Sequence, residues 1–386
     1  MFAMRFHTWS GSRHWFTSTG AALVIFGIAF LTLSGCSEQS TIGGYDPSLR
    51  YPLRDDALIV KLPEEIPTKH LPHGDPDANL AKFPEQRGII RPVKTLPEEA
   101  RTKLANALEV VFGTPAHPKV PTSYPHDSEE LAKGSRVYSR ICRNCHGLSG
   151  DSRGAGGLYM TPAPRDFRLG LFQTALGDNK PRFDDLVQVV KHGVPGSTMQ
   201  AFDLIPENDL RAATLYTVHL SIRGEVEQKQ LFAMIEDDFE PSTDLTASVA
   251  EQAERIAKRW LAAEQVSWPE VQLNPTEESI RRGLELFTKQ GCNSCHVDFG
   301  RKETYRYNLW GGVSRVADLT RGEFRWGKSP DRLAARIRHG IPAVGMPAHD
   351  SLNQQQLHDL TCFVKEMSLP DRLPADVRLA VHPESK

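Results

Sequence analysis

Cys142, Cys145 and His146 stand together in the stretch ICRNCHG, residues 141–147, with two residues between the cysteines. A Cys-x-x-Cys-His run of this kind can supply part of a zinc site, form a redox-active pair of thiols or attach a haem. Each chemistry needs different partners elsewhere in the chain, so the motif alone does not decide among them.

The stretch GCNSCHV, residues 291–297, repeats the motif with Cys292, Cys295 and His296. A zinc site needs four ligands, whereas each copy offers two cysteines and one adjacent histidine in poor geometry for one ion. A thioredoxin-like thiol pair needs a βαβ context, which the surrounding pattern does not predict. In haem attachment the two thiols bond to one porphyrin edge and the next imidazole becomes the proximal iron ligand. We therefore expect two covalently bound haem c groups, with His146 and His296 as proximal ligands.

Methionines at matching positions are the candidates for the second axial ligand of each iron. Met199 lies 53 residues after His146, and Met346 lies 50 residues after His296. Both stand in loops with glycine and proline that precede an apolar-periodic, helical segment. A thioether is a soft ligand, and histidine–methionine ligation raises the reduction potential of a haem. We expect Met199 and Met346 to bind iron, so that neither iron keeps an open position.

Two alternatives to this ligand set remain. Met160 is a rival to Met199 in the first unit, where Gln200 replaces the proline that follows Met346. His192 and His339 also match across the repeat, and they would serve if the irons carried two histidines each.

The two motifs lie in two similar units, predicted as residues 128–222 and 276–370. Each unit opens with Ser128 or Thr276 before acidic residues, as a helix N-cap does. A glycine follows, with an aromatic residue four positions later: Gly134 and Tyr138, then Gly283 and Phe287. After each motif an Asp, a Gly and a Phe recur in register: Asp166, Gly170 and Phe172, then Asp318, Gly322 and Phe324. Apolar-periodic segments predict closing helices over residues 206–221 and 353–368.

These shared features resemble the class I c-type cytochromes. The resemblance rests on the lead helix with its Gly-x-x-x-aromatic pattern, the CxxCH motif, the methionine loop and the closing helix, all present twice. The stretches PAPRDFRLGLF and DLTRGEFRWG also look like membrane-associated dihaem cytochromes c of bacterial respiratory chains. The resemblance implies an all-α fold of two tandem cytochrome c-like domains. It also implies single-electron transfer from a quinol-oxidising complex towards a terminal oxidase, with no catalytic residue.

Residues 1–35 read as a signal peptide, with an apolar run at residues 21–33 that is too short for a comfortable membrane span. The run ends in LSGC, which resembles a bacterial lipoprotein signal and makes Cys36 the expected lipidation site. A cleaved secretory signal and an uncleaved anchor helix remain alternatives. All three place the rest of the chain outside the cytoplasm, and the lipoprotein interpretation anchors it to a membrane on the periplasmic side.

The remaining segments connect and flank the two units. Residues 36–127 hold 13 of the 27 prolines, which predicts an extended tether with one helix, over residues 96–113. Residues 223–275 form an acidic connector with a predicted helix, and residues 371–386 form a C-terminal tail. The net charge of −2 argues against a nucleic-acid partner. We expect redox proteins of the respiratory chain as partners.

An enzymatic role is the alternative to electron transfer. A dihaem peroxidase, or the cytochrome subunit of a periplasmic dehydrogenase, would carry the same two motifs. A peroxidase needs one haem with an open position and a nearby acid–base group, for which His192, His339 and His349 are the candidates.

Overall fold

The chain is mostly helical, which confirms the all-α prediction. A computed structural model describes residues 44–59, 90–93, 96–121, 123–124, 127–160, 162–177, 179–194, 197–236, 244–265, 269–309, 313–324 and 327–383. Cys36 and the predicted signal peptide lie outside these residues. The helices of the described part are α1 (Glu98–Phe112), α2 (Ser128–Ile141), α3 (Arg143–His146), α4 (Phe183–His192), α5 (Glu207–Glu236), α6 (Leu245–Ala263), α7 (Glu277–Lys289), α8 (Pro330–His339), α9 (Gln354–Glu366) and α10 (Ala375–Val381).

Strands are few and short. β1 (Ala57–Ile59) pairs antiparallel with β2 (Ile90–Pro92), and β3 (Tyr305–Tyr307) pairs antiparallel with β4 (Val313–Arg315). The second pair follows the second CxxCH motif closely in the chain. Among the described residues, no helix combines the length and apolar character needed to cross a membrane.

Side-chain caps set where the two lead helices begin. Thr276 accepts a hydrogen bond from the backbone of Ser279 and so opens α7 with the predicted cap. In the first unit the prediction was off by one residue, because the carboxylate of Asp127, and not Ser128, accepts from the Glu129 N–H at 2.9 Å. Either side chain satisfies a backbone donor that a helix start leaves unpaired.

A close helix crossing lies at the centre of each unit. Gly134 of α2 packs against α5 so tightly that an added Cβ would meet the Ala212 carbonyl oxygen at 2.0 Å. Gly283 of α7 packs against α9 in the same way, with 2.3 Å to the Asp359 carbonyl oxygen. The lead and closing helices therefore touch backbone to backbone in both units.

The core of the first unit extends beyond the predicted unit. Tyr45 and Tyr51 from the proline-rich tether, Phe112 of α1 and Trp260 of α6 are buried in the same cluster as Tyr216 of α5. The predicted boundary at residue 222 lies inside α5, which continues without interruption to Glu236. The tether and the acidic connector thus pack on the first helical unit through large aromatic side chains.

The second unit has a core of its own. It joins α7, α9 and α10 through buried apolar side chains that include Phe287, Phe363 and Met367. The rings of Phe287 and Phe363 meet edge to face with centroids 5.7 Å apart. Tyr138 and Tyr216 form the corresponding pair of the first unit, at 5.2 Å.

Candidate haem sites

The two CxxCH motifs fold into the same tight turn. The His146 N–H donates to the Cys142 carbonyl at 2.9 Å, and the His296 N–H donates to the Cys292 carbonyl at the same distance. This bond spans four residues, as in one turn of an α-helix, so it places the first cysteine and the histidine on one side of the turn. The motif thus presents a thiol and an imidazole together in both units.

A backbone carbonyl fixes each imidazole. Nδ1 of His146 lies 3.1 Å from the Arg165 carbonyl oxygen, and Nδ1 of His296 lies 3.0 Å from the Ala317 carbonyl oxygen. A carbonyl only accepts, so Nδ1 carries the proton and Nε2 keeps its lone pair for a metal. Burial lowers the pKa of His146 to about 4 and also lowers the pKa of His296. Both rings are therefore neutral near pH 7, as a metal ligand must be.

A capped turn positions these two carbonyls. The carboxylates of Asp166 and Asp318 accept from the N–H two residues ahead, at 2.9 and 3.0 Å, and each opens a short 3-10 helix. Arg165 and Ala317 immediately precede these caps. The Asp and Gly of this turn recur in register in the sequence, so the turn itself could be recognised. The sequence did not indicate that the preceding carbonyls would contact the histidines.

The first thiol of each motif is shifted away from the thiolate form that a redox-active cysteine needs. Burial raises the pKa of Cys142 to about 12 and that of Cys292 to about 11. Redox-active thiols need the opposite shift, towards the thiolate. The four motif cysteines form no disulfide. In the described part of the chain, no group of three or more His, Cys, Asp or Glu side chains could hold a metal ion.

A cavity of about 400 Å³ in the second unit brings the predicted ligands together. Cys292, Cys295, His296 and Met346 all line it. Most of the remaining wall is apolar, from Phe287, Leu319, Phe324, Leu333, Ile337, Ile341, Leu360 and Val364. Four arginines also line the cavity: Arg306, Arg315, Arg321 and Arg336. Two thiols, an imidazole and a thioether around an apolar space with cationic groups fit a haem, whose ring is apolar and whose propionates are anionic.

The two methionine loops share one backbone geometry. Helices α4 and α8 both end at a glycine with φ of +68°, Gly193 and Gly340. The next residue then donates its N–H to the methionine carbonyl, from Val194 to Met199 at 3.1 Å and from Ile341 to Met346 at 2.9 Å. Only glycine adopts this φ without strain, and an added Cβ would lie 2.6 Å from the methionine carbonyl oxygen in either loop. Met199 is thus the structural counterpart of Met346.

The alternative ligands differ in their surroundings. Met160 follows a short 3-10 helix, Gly157–Tyr159, to which its N–H is bonded at 3.2 Å. His192 is exposed, and its Nε2 lies 3.1 Å from the Gln188 side-chain oxygen. His349 lines the second cavity, on the same loop as Met346.

Comparison with known proteins bears on the first unit. Residues 129–216 match the family model described as cytochrome c oxidase, cbb3-type, subunit III. Over these residues the chain matches a cytochrome c domain. Haem c bound covalently follows from this domain, in accord with the motif at Cys142, Cys145 and His146. The second unit lies outside the matched range.

No curated protein matches the chain. A similar solved structure is the reducing HAO-like protein complex Kustc0457/Kustc0458 of Kuenenia stuttgartiensis. It is 25% identical, with a TM-score of 0.45, over 61% of this chain and 95% of that chain.

Proposed function

We propose that the protein is a membrane-anchored dihaem c-type cytochrome that passes single electrons between respiratory-chain partners. The observation that carries the proposal is the cavity of the second unit, where Cys292, Cys295, His296 and Met346 converge on an apolar space. The matching turn and methionine loop of the first unit support a second site of the same kind.

The protein's residues have four roles in this proposal. Cys142, Cys145, Cys292 and Cys295 hold the two haems as thioethers. His146 and His296 would be the proximal ligands, and the Arg165 and Ala317 carbonyls orient their rings. Met199 and Met346 would be the distal ligands, presented by the loops that begin at Gly193 and Gly340. The haem iron, when bound, supplies reversible one-electron exchange between Fe(II) and Fe(III).

The ligand set favours electron transfer over catalysis. An iron held by a histidine and a methionine has no open position, so a substrate binds it only after a ligand is lost. The apolar wall also limits water at the iron, which together with the methionine favours a positive potential.

The location and the partners complete the proposal. A lipidated Cys36 would hold the protein at the membrane on the periplasmic side, with the proline-rich tether between anchor and core. The donor and the acceptor would be respiratory complexes, a quinol-oxidising complex and a terminal oxidase.

Reaction of the reduced holoprotein with carbon monoxide tests this function. The protein is produced with the haem-attachment machinery, purified and reduced under anaerobic conditions. We expect low-spin spectra and no rapid carbon monoxide binding, because both irons are six-coordinate.

A peroxidase is the second candidate, and one observation favours it. His349 lines the second cavity and stands three residues after Met346, where an imidazole could serve as an acid–base group once the methionine dissociates. Rapid binding of carbon monoxide together with peroxide turnover would replace the electron-carrier proposal with this one.

A further inference from the structure

A stack of aromatic rings leads away from the first CxxCH histidine. The ring of Phe167 stacks on His146 with centroids 4.5 Å apart and planes 21° apart. Phe172 stacks on Phe167 in turn, at 6.0 Å and 15°. The second unit has Leu319 at the position of Phe167, so this ladder is specific to the first unit. Trp260 of α6 holds the end of the ladder by an edge contact with Phe172 at 5.7 Å.

The residue that follows the ladder reaches the second unit. Gln173, the residue after Phe172, lines the haem cavity of the second unit although it belongs to the first. Four residues later, the Gly177 N–H points at the carbonyl oxygen of Gly340, 3.5 Å away. Gly340 starts the loop that carries Met346. The segment that follows the ladder therefore touches both the cavity and the methionine loop of the other unit.

An ion pair ties the start of α4, which follows this segment, to the second unit. The carboxylate of Asp185, at the start of α4, accepts from the Arg332 guanidinium of α8 at 2.9 Å. The side chain of Asp185 is 5% exposed and that of Arg332 is 26% exposed, so water screens this pair less than a surface pair. Arg182 adds a second guanidinium 3.6 Å from Asp185.

We propose that residues 167–177 form the bridge through which the two haem sites exchange electrons. Phe167 and Phe172 lead from the first proximal histidine to Gln173, which lines the second cavity. The Asp185–Arg332 pair ties the chain that follows this segment to α8. In the exchange one electron leaves one iron and enters the other, so one site is oxidised and one reduced while no bond forms or breaks. The bridge rests on the proposed dihaem function.

Intramolecular electron exchange in the full holoprotein tests the bridge. A light-activated reductant delivers one electron per fully oxidised molecule, and the absorbance then reports its redistribution between the two haems. We expect Phe172→Leu and Arg332→Gln each to slow this redistribution, while the reduction potentials and spectra of both haems stay unchanged. Hydrogen exchange of residues 172–185 should also rise in Arg332→Gln, because the segment loses its tie to α8.

Two matched variants serve as controls. Phe183 is as buried as Phe172, at 9% against 8%, but lies outside the ladder, so Phe183→Leu should leave the exchange rate as it is. Arg211 pairs with Asp184 at 2.8 Å within the first unit, so Arg211→Gln removes a neighbouring ion pair without touching the second unit.

The outcomes separate the bridge from the function on which it rests. Two low-spin haems whose exchange rate is the same in the wild type, Phe172→Leu and Arg332→Gln would overturn the bridge and leave the proposed function standing. A wild-type protein with one haem would overturn both.

Discussion

At the scale of residues, each candidate site combines ligands that can be recognised in the sequence with a supporting backbone carbonyl that cannot. The cysteines and histidines could be predicted from the CxxCH spacing, because that chemistry needs those side chains in that order. The carbonyls of Arg165 and Ala317 could not, because any residue supplies a carbonyl and only the fold shows where it points. The methionines could be predicted in part, because their loops match in the sequence. The structure adds that both loops are closed by the same backbone hydrogen bond, donated by Val194 and by Ile341.

Replacing the second distal ligand tests its role. Met346→Leu keeps the side-chain volume but removes the thioether. We expect this variant to bind carbon monoxide and to lower the potential of one haem, because the iron loses its soft ligand. Met367→Leu is the control, since Met367 is fully buried in the core of the same unit. Equal spectra and potentials in the two variants would remove Met346 from the ligand set.

The first distal ligand has its own comparison. Met199→Leu should open the first haem to carbon monoxide, whereas Met160→Leu should leave it closed. The measurement is carbon monoxide binding to each reduced variant. The reverse pattern would assign the ligand to Met160. The geometry that the two methionine loops share would then have a structural role only.

A buried histidine outside the haem sites makes stability depend on pH. His219 of α5 lies among Tyr51, Phe112 and Tyr216, and burial, with a smaller effect of Arg223, lowers its pKa to about 3. An unfolded histidine titrates near 6.5, so between these pH values the unfolded state binds a proton that the native state does not. The free energy of unfolding should therefore fall as pH falls through this window, by up to about 1.4 kcal/mol per pH unit.

Denaturant unfolding at several pH values measures this dependence. His219→Phe keeps an aromatic ring in the cluster and should flatten the slope below pH 6.5. His192→Phe, at an exposed position, should leave the slope as in the wild type. A slope that persists unchanged in His219→Phe would assign the acid sensitivity to other groups.

At the scale of elements, the lead and closing helices followed from local patterns, with one cap misplaced by a residue, whereas the helix lengths and crossings did not. The Gly-x-x-x-aromatic pattern singled out Gly134 and Gly283, but only the structure shows that they lie at close helix crossings. The closing helix of the first unit continues past residue 221 because Val226, Leu231 and Met234 keep an apolar stripe that α6 and α1 cover. That cover depends on contacts between segments far apart in sequence, which periodicity within one segment does not reveal.

The second crossing can be tested by adding one methyl group. Gly283→Ala places a Cβ against the Asp359 carbonyl and the Phe363 side chain, so α7 and α9 must separate. We expect a loss of about 1–3 kcal/mol in the free energy of unfolding, as for other overpacked contacts. Glu285→Ala, at an exposed position of the same helix, is the control. If Gly283→Ala had wild-type stability, the crossing of α7 and α9 would accommodate a Cβ at this position.

At the scale of the whole molecule, the sequence predicted two similar units. It did not predict that the tether and the connector pack on the first unit. Both units could be recognised from the matching residues, and the all-α class followed from them. The packing of the tether and connector on the first unit depends on Tyr45, Tyr51 and Trp260, which periodicity alone does not assign to a core. The contact of Gln173 with the other unit's cavity likewise needs the fold.

Membrane attachment belongs to this scale too. In a bacterial host that lipidates secreted proteins, Cys36→Ser should move the holoprotein from the membrane fraction to the soluble periplasmic fraction, because the thiol that takes the lipid is gone. Fractionation followed by haem staining measures the shift. Continued membrane association of Cys36→Ser would favour an uncleaved anchor helix.

The number of covalent haems per chain tests the central claim most directly. Intact-protein mass spectrometry of the denatured holoprotein compares the wild type with Cys142→Ala/Cys145→Ala and with Cys292→Ala/Cys295→Ala. We predict the mass of two haems on the wild type and of one on each double variant, because each motif attaches its own haem. One haem on the wild type, or an unchanged haem mass after loss of the Cys292 and Cys295 thiols, would contradict the dihaem account.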